Sequence, residues 1–356
     1  MAVRAALLTE IGAPLRLVDL ELPEPGPGQV RVRIAATGVC HSDLSLARGT
    51  LRQPVPAVLG HESAGEVVSV GDGVSHVAPG DRVVLIWAAP CRTCWFCEQG
   101  EPWLCERSSD AAGVPYATVS GEPVYPGLST GGFATETVVS AGSVLPVPDA
   151  VPLEQAALVG CAVTTGIGAT AAVRPGQSVL VVGLGGVGLS AVMGAVLQQA
   201  GQVLVVDRSP DKLARAQGLG ATDVLEAGEG LPKAIRALTA GRGVDHAIDC
   251  VGAAQTIRDA WSATRRGGTT TVVGIGGKEQ QVTFTALELF HFARTLTGCV
   301  YGSADPAVLM PRILDHAARG ELDLGALISG TIGLDAIDGA FAEMERGAGA
   351  RYVVCP

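Results

Sequence analysis

The run Gly183-Leu184-Gly185-Gly186-Val187-Gly188 lies between an apolar stretch, Gln177–Val182 (QSVLVV), and a helix-forming one, LSAVMGAVLQQA, which stops at Gly201. In G-x-G-x-x-G the first glycine permits a tight turn, the second lets backbone approach a pyrophosphate, and the third lets helix pack on strand. Phosphate would rest on free N–H groups at the helix N-terminus, near Gly186 and Val187. In a chain with 48 glycines the pattern alone is weak, and an ordinary Gly-rich turn is the plain alternative. Its setting strengthens it. A second apolar strand, Gln202–Val206, ends on Asp207, 24 residues beyond Gly183, where a carboxylate accepts from ribose hydroxyls. That carboxylate repels a 2′-phosphate, so NAD is expected over NADP, with Arg208 partly offsetting the repulsion. Ser209-Pro210-Asp211 then offers an N-cap, a first-turn proline and an early acid for a helix through Gln217. Further strands are expected at Asp245–Cys250 and Thr269–Val273. Alternating strands and helices imply a parallel, doubly wound sheet.

The first roughly 150 residues have another texture, with short β-type runs such as Gln29–Ala35, Ser63–Val70 and Asp81–Ile86 broken by Gly and Pro. After about Gly298 mixed helix and short strand return. The chain, 356 residues long, is therefore expected to be α/β with two domains: a discontinuous β-rich catalytic domain, 1–162 and 301–356, and a cofactor domain, 163–300. No apolar run reaches membrane-spanning length, and Glu10 and Asp19 interrupt the start, so neither a membrane partner nor a signal peptide is expected. A net charge of −10 argues against nucleic acid, which demands a concentrated positive surface. A cytoplasmic enzyme acting on a small molecule is the resulting expectation.

Nine cysteines, an odd number with four inside fifteen residues, favour metal ligation in a reducing compartment over a disulfide framework. Cys91, Cys94, Cys97 and Cys105 follow C-x2-C-x2-C-x7-C, and four thiolates on the lobe 91–105 close a tetrahedron around a structural zinc. A redox pair or a strained disulfide knot is the bland alternative. Cys40 in GVCHSD, His61 in GHE and Cys161 in GCAVTTG form a dispersed second set. Two thiolates and an imidazole leave a fourth position for water or substrate, as at a catalytic zinc. Taken singly, a buried cysteine is more often a small core residue.

In their order along the chain, CHSD (40–43), GHE (60–62), the cysteine lobe, Gly160-Cys161 with Thr165, and GLGGVG with Asp207 resemble the zinc-containing medium-chain alcohol dehydrogenases, over essentially the whole chain. That resemblance implies a GroES-like catalytic domain and a Rossmann cofactor domain with the active site in the cleft between, NAD, and two zinc ions per chain. Cys40, His61 and Cys161 then resemble the catalytic-zinc ligands. Glu62 resembles the acid behind the metal, Asp43 the carboxylate that orients the imidazole, and Ser42 the hydroxyl that takes the alcohol's proton. Thr165 resembles the residue behind the nicotinamide ring, Lys212 the lysine that supports Asp207, and Val273 and Ile275 the nicotinamide wall. Arg351 resembles a pyrophosphate ligand, with a surface arginine as the alternative.

His41 stands where an arginine often meets the pyrophosphate, and Ser45 where a histidine ends the proton relay in well-known members. Trp87, Leu51, Leu128 and Val300 resemble pocket walls and are apolar, which favours primary, aromatic or medium-chain alcohols and their aldehydes. Leu51 and Ser109 lie nearest the places where glutathione-adduct formaldehyde dehydrogenases carry an acid and an arginine. A thiol-adduct or polyol dehydrogenase on the same scaffold is the runner-up. A zinc-free quinone or enoyl reductase would lack Cys40, His61 and the lobe, and a catalytically silent NAD-binding structural protein would need no open metal position. The connection between Cys105 and Phe133 is nearer the dimeric members in length, so a homodimer is expected.

Overall fold

In this computed structural model, which describes residues 3–347, 349 and 351–356, the chain forms two units, Met1–Thr164 with Ala304–Pro356, and Thr165–Ser303. The second unit is built on a wholly parallel six-stranded sheet, whose spatial order is Asp223–Glu226, Gln202–Asp207, Ser178–Val182, Val244–Asp249, Thr264–Val272, Thr295–Gly298. In chain order that is third, second, first, fourth, fifth, sixth, the doubly wound arrangement expected from the alternating pattern. The central strands are apolar on both faces because helices cover both. Val179, Leu180 and Val181 are fully buried, as are Leu204 and Val205. The strand expected at 269–273 begins earlier, at Thr264, with a register irregularity between Val244 and His246. Arg265 in this polar lead-in is held by Asp245 at 2.7 Å, a contact that hydrophobic patterning does not announce.

Small residues set the packing of the first crossover. Gly183 has φ +87°, a conformation that side chains with a Cβ rarely adopt. A Cβ on Gly188 would lie 1.8 Å from the Gly183 carbonyl oxygen, so the helix Gly186–Leu197 begins almost in contact with the strand it follows.

The first unit is antiparallel and β-rich. Its organising strand, Gln29–Gly38, pairs with Glu62–Val70, Glu136–Ser140 and the C-terminal Tyr352–Val354, which is how the tail returns to this unit. Alternation in QVRVRI sends Val30, Val32 and Ile34 into a core with Val83, Leu85 and Val139, while Arg31 turns out to meet Glu136 at 2.6 Å. A second core gathers Leu8, Leu46, Leu59 and Phe133, with the Phe133 and Phe341 rings 6.4 Å apart. Among the described residues no helix is long and apolar enough to cross a membrane.

Phe133 is fully buried, and its backbone N–H donates to Leu59 O at 2.8 Å, just before the site described below. Phe133→Ala is expected to destabilise the first unit by about 3–5 kcal/mol through lost burial and a cavity. Urea unfolding followed by tryptophan fluorescence measures this, and a loss below about 1 kcal/mol would mean that this core collapses around the gap.

Candidate active site

Three segments of the first unit bring metal-binding atoms together. Cys40 follows the strand Gln29–Gly38 and caps the helix His41–Ala47. His61 immediately precedes the strand Glu62–Val70, and the register pairs Glu62 with Gly38. Glycine at 38 leaves room for that carboxylate, since a Cβ there would lie 2.2 Å from Glu62 Oε2 and displace it. Cys161 sits in a π-helical turn, Val159–Val163, between the helices Leu153–Leu158 and Thr164–Gly168. Such single-turn insertions re-aim a side chain and occur mostly at functional sites.

One ligand atom each from Cys40, His61, Glu62 and Cys161 lies within 4.8 Å of the others, and all four residues are buried. Asp43 fixes this geometry. Its Oδ1 contacts His61 Nδ1 at 2.9 Å and accepts from Gly60 N at 2.9 Å, while Oδ2 accepts from Cys40 N at 3.2 Å. With Nδ1 so engaged, His61 turns Nε2 inward, and this buried nitrogen has no hydrogen-bond partner among the described residues; nor does Glu62 Oε2. Buried polar atoms are costly unless satisfied. Two sulfurs, one imidazole nitrogen and an acid behind them fit zinc with one position left for substrate.

Protonation follows the same contacts. The hydrogen bond from Cys161, working against burial, holds the Cys40 thiol well below its ordinary pKa, while Cys161, as the donor, is pushed well up. Burial disfavours a charged ring at His61, but Asp43 and Cys40 outweigh it and raise its pKa. Burial lifts the Glu62 carboxyl to about 8, partly opposed by Arg351.

Arg351 lies away from the surface position that was the alternative expectation. It is not on the surface but 5% exposed, donating from Nη1 to Val39 O at 2.7 Å, with Nη2 3.5 Å from Glu62 Oε1. Sequence gave no sign of this pairing, because its partners lie some 290 and 310 positions away, a separation fixed only when the tail strand joins Gln29–Gly38.

The cysteine lobe forms a second cluster, its four sulfurs within 4.8 Å of one another. Cys94 and Cys105 sulfurs are 3.8 Å apart, as on the edge of a tetrahedron with Zn–S of about 2.3 Å. All nine cysteines are free thiols, so the disulfide knot is excluded here. Backbone N–H groups aim at the sulfurs: Thr93 and Cys94 at Cys91 (3.5 and 3.3 Å), Cys91 and Arg107 at Cys105 (3.2 and 3.4 Å). The Thr93 N–H leads in drawing Cys91 down to about 6, while loss of water contact and its bond to Cys94 push Cys97 up to about 12.

In the second unit, Asp207 ends its strand beside the glycine turn, its Oδ2 accepting from Leu184 N at 2.7 Å and its Oδ1 from Ser209 N at 2.9 Å. The carboxylate thus also braces the turn, a role that spacing did not reveal. Lys212 is half-buried, its pKa lowered by burial against the attraction of Asp207. Arg208 is exposed, Thr165 is buried, and Val273 is half-buried with its N–H on Asp249 O at 2.8 Å; Ile275 is 59% exposed.

Of the remaining candidates in the first unit, Ser42 Oγ is 3.9 Å from Cys40 Sγ, and the Trp87 ring meets His61 edge-on at 6.1 Å between centroids. Ser42 and Ser45 are half-buried and His41 is exposed on one short helix. Leu51 and Leu128 are partly buried against the Phe133 core, Leu128 in the left-handed region at φ 46°, and Ser109 is exposed. Val300, in the second unit, is 49% exposed.

Asp43→Ala is expected to weaken zinc at the buried cluster by about 10–100-fold, because it frees the imidazole to turn. Chelator competition measures this, and unchanged affinity would reduce Asp43 to a helix cap. Zinc must displace protons from His61 and Cys161, whose pKa values are raised. Affinity is therefore expected to rise with pH, with proton release measurable in weak buffer; a pH-independent affinity would contradict this ligand set.

The family described as alcohol dehydrogenase GroES-like domain matches residues 26–149, and that described as zinc-binding dehydrogenase matches 186–315. The S-(hydroxymethyl)glutathione dehydrogenases of Synechocystis and Escherichia coli are 36% and 35% identical, covering 99% of this chain and their own full lengths. Among solved structures, an alcohol dehydrogenase zinc-binding domain protein from Burkholderia ambifaria superposes with a TM-score of 0.94 at 33% identity. Benzyl alcohol dehydrogenase from Acinetobacter calcoaceticus superposes at 0.93 with 28% identity, and both cover all of this chain and 99% of their own. With a buried cluster able to hold a metal ion in one unit and a glycine turn opening a doubly wound sheet in the other, the chain belongs to the zinc-dependent alcohol dehydrogenases of the medium-chain dehydrogenase/reductase family.

Proposed function

We propose that this enzyme uses NAD to interconvert a primary alcohol, aromatic or medium-chain, and its aldehyde, with one catalytic zinc at Cys40, His61 and Cys161 and one structural zinc at Cys91, Cys94, Cys97 and Cys105. The observation that carries the reading is the unpartnered, buried His61 Nε2 turned towards two cysteines by Asp43. When bound, zinc supplies Lewis acidity at the substrate oxygen, and NAD supplies the hydride acceptor. Ser42 takes the hydroxyl proton beside the sulfur of Cys40. Ser45, one turn along the same short helix, passes it on only through water. Thr165 backs the nicotinamide, and Asp207 with Lys212 holds the adenosine ribose. Arg351, drawn inward to Glu62, serves first as that acid's counter-charge and reaches the pyrophosphate only if it also turns outward.

The Trp87 ring beside His61 favours an aromatic or otherwise apolar substrate, as do Leu51 and Leu128. The name shared by the curated relatives favours a second reading, oxidation of a hydroxymethyl thiol adduct. Against it stand uncharged Leu51 and Ser109, which offer a glutathione moiety neither acid nor arginine. A homodimer is supported by the terminal strand Thr295–Gly298, exposed at all four positions, and by Leu287 and Phe290 beside it at 71% and 82% exposure. The two cysteine clusters, which bind metal only as reduced thiolates, support a reducing, cytoplasmic setting.

NADH absorbance across benzylic, aliphatic, polyol and S-(hydroxymethyl)glutathione substrates separates the readings. The highest kcat/KM is expected on benzylic or medium-chain alcohols; the adduct ahead of both would install the second reading. Cys40→Ala is expected to abolish turnover while NADH binding persists, and residual activity near wild type would remove the catalytic zinc from the scheme.

Asp207→Gly is expected to shift preference towards NADP by removing the charge that repels a 2′-phosphate. The ratio of kcat/KM for the two cofactors reads this out, and an unchanged ratio would put the ribose contact elsewhere.

A further inference from the structure

Asp249 is fully buried at the end of the strand Val244–Asp249, a place where an aliphatic side chain would cost less. Its Oδ2 accepts from Gly252 N at 2.7 Å. Its backbone oxygen accepts from both Val273 N at 2.8 Å and Gly274 N at 3.0 Å, so one residue holds two loops. Oδ1 has no close hydrogen-bond partner among the described residues; the Thr256 hydroxyl, which donates to Ala253 O at 3.0 Å, and the Val251 N–H also draw on the carboxyl group. Burial pushes the carboxyl up.

The two loops interlock through backbone. Gly252 has φ +80°, and a Cβ there would lie 2.6 Å from both Gly274 O and Gly276 N. On Gly274 it would lie 2.2 Å from Gly252 N, and on Gly276 2.3 Å from Gly252 O. Nothing larger than hydrogen fits between them, so displacing the 250–252 turn displaces 273–276 with it. On its other side that turn reaches the cofactor motif, since Val251 Cγ2 lies 2.5 Å from where a Cβ on Gly183 would stand.

We propose that Asp249 is a positioning residue for the nicotinamide half of the cofactor: its carboxylate sets the 250–252 turn, and through the glycine contacts that turn sets the height of the loop presenting Val273 and Ile275. This rests on the reading, made above, that Val273 and Ile275 form the nicotinamide wall. Asp249 touches neither cofactor nor substrate; it acts through the loop. Loosening the loop therefore penalises ligands that carry a nicotinamide and spares those that end at the second ribose.

The test compares the dissociation constants of NADH and ADP-ribose, by calorimetry on the zinc-loaded enzyme. In Asp249→Ala, NADH is expected to bind about tenfold more weakly while ADP-ribose stays within about twofold. Asp249→Asn keeps an oxygen for Gly252 N and is expected to stay within about threefold of wild type for both. Asp249→Ser replaces the alanine variant if that one fails to fold. Equal weakening of both ligands would show a merely structural role and overturn the proposal, as would no weakening of either. Ile275→Ala, at an exposed position, tests the underlying reading separately. If it leaves the NADH to ADP-ribose ratio unchanged, the wall assignment fails and the proposal with it. If it changes the ratio and Asp249→Ala does not, the proposal alone fails.

Discussion

The Asp43 carboxylate locks together two segments that the antiparallel pairing of Gly38 with Glu62 brings side by side. It engages His61 Nδ1, Gly60 N and Cys40 N, all at 2.9–3.2 Å, and it is fully buried. A bare carboxylate would be prohibitively costly there, whereas three N–H partners offset its desolvation and fix its position. The Cys40 and His61 segments are thereby clamped to one group, and the histidine tautomer is set in the same contact. The acid is thus a positional device for Cys40 and His61, while the π turn Val159–Val163 places Cys161.

The cofactor unit is governed by a different constraint, the thickness of side chains. The sheet order brings strand ends together, but loops there approach to within a hydrogen atom's width, at Gly183 with Gly188 and at Gly252 with Gly274. A chain poor in aromatics and rich in glycine packs in this way, through backbone contact. Charged groups at those strand ends then serve as braces: Asp207 holds Leu184 and Ser209, and Asp249 holds Gly252.

What was legible in the sequence was local. GLGGVG between an apolar strand and a helix, and the closely spaced cysteines, each specify their geometry within a few residues, so the parallel sheet and the lobe could be read directly. Cys40, His61 and Cys161 were legible only as a set, because a lone buried cysteine is ordinary. Contacts that depend on register stayed hidden. The fit of Glu62 against Gly38 exists only in the antiparallel pairing of their strands, and the π turn that aims Cys161 leaves no mark on hydrophobic periodicity. Arg351 was read from its place near the end of the chain, whereas its actual surroundings depend on where the tail strand lands.

That landing also explains how an acid and a guanidinium are tolerated in the same interior. Glu62 is fully buried and Arg351 nearly so, and an isolated charge of either sign would cost several kcal/mol there. Paired at 3.5 Å, with Nη1 on the Val39 carbonyl, the guanidinium offsets much of that cost and leaves Glu62 Oε2 without a hydrogen-bond partner among the described residues. The arrangement is more polar than stability alone would select, since well-packed apolar residues of equal volume are often no worse. Such an arrangement suits an acid that stays behind the candidate ligands with one oxygen uncommitted. The C-terminal strand, by carrying Arg351 to that position, makes the last residues of the chain part of the metal site's electrostatics.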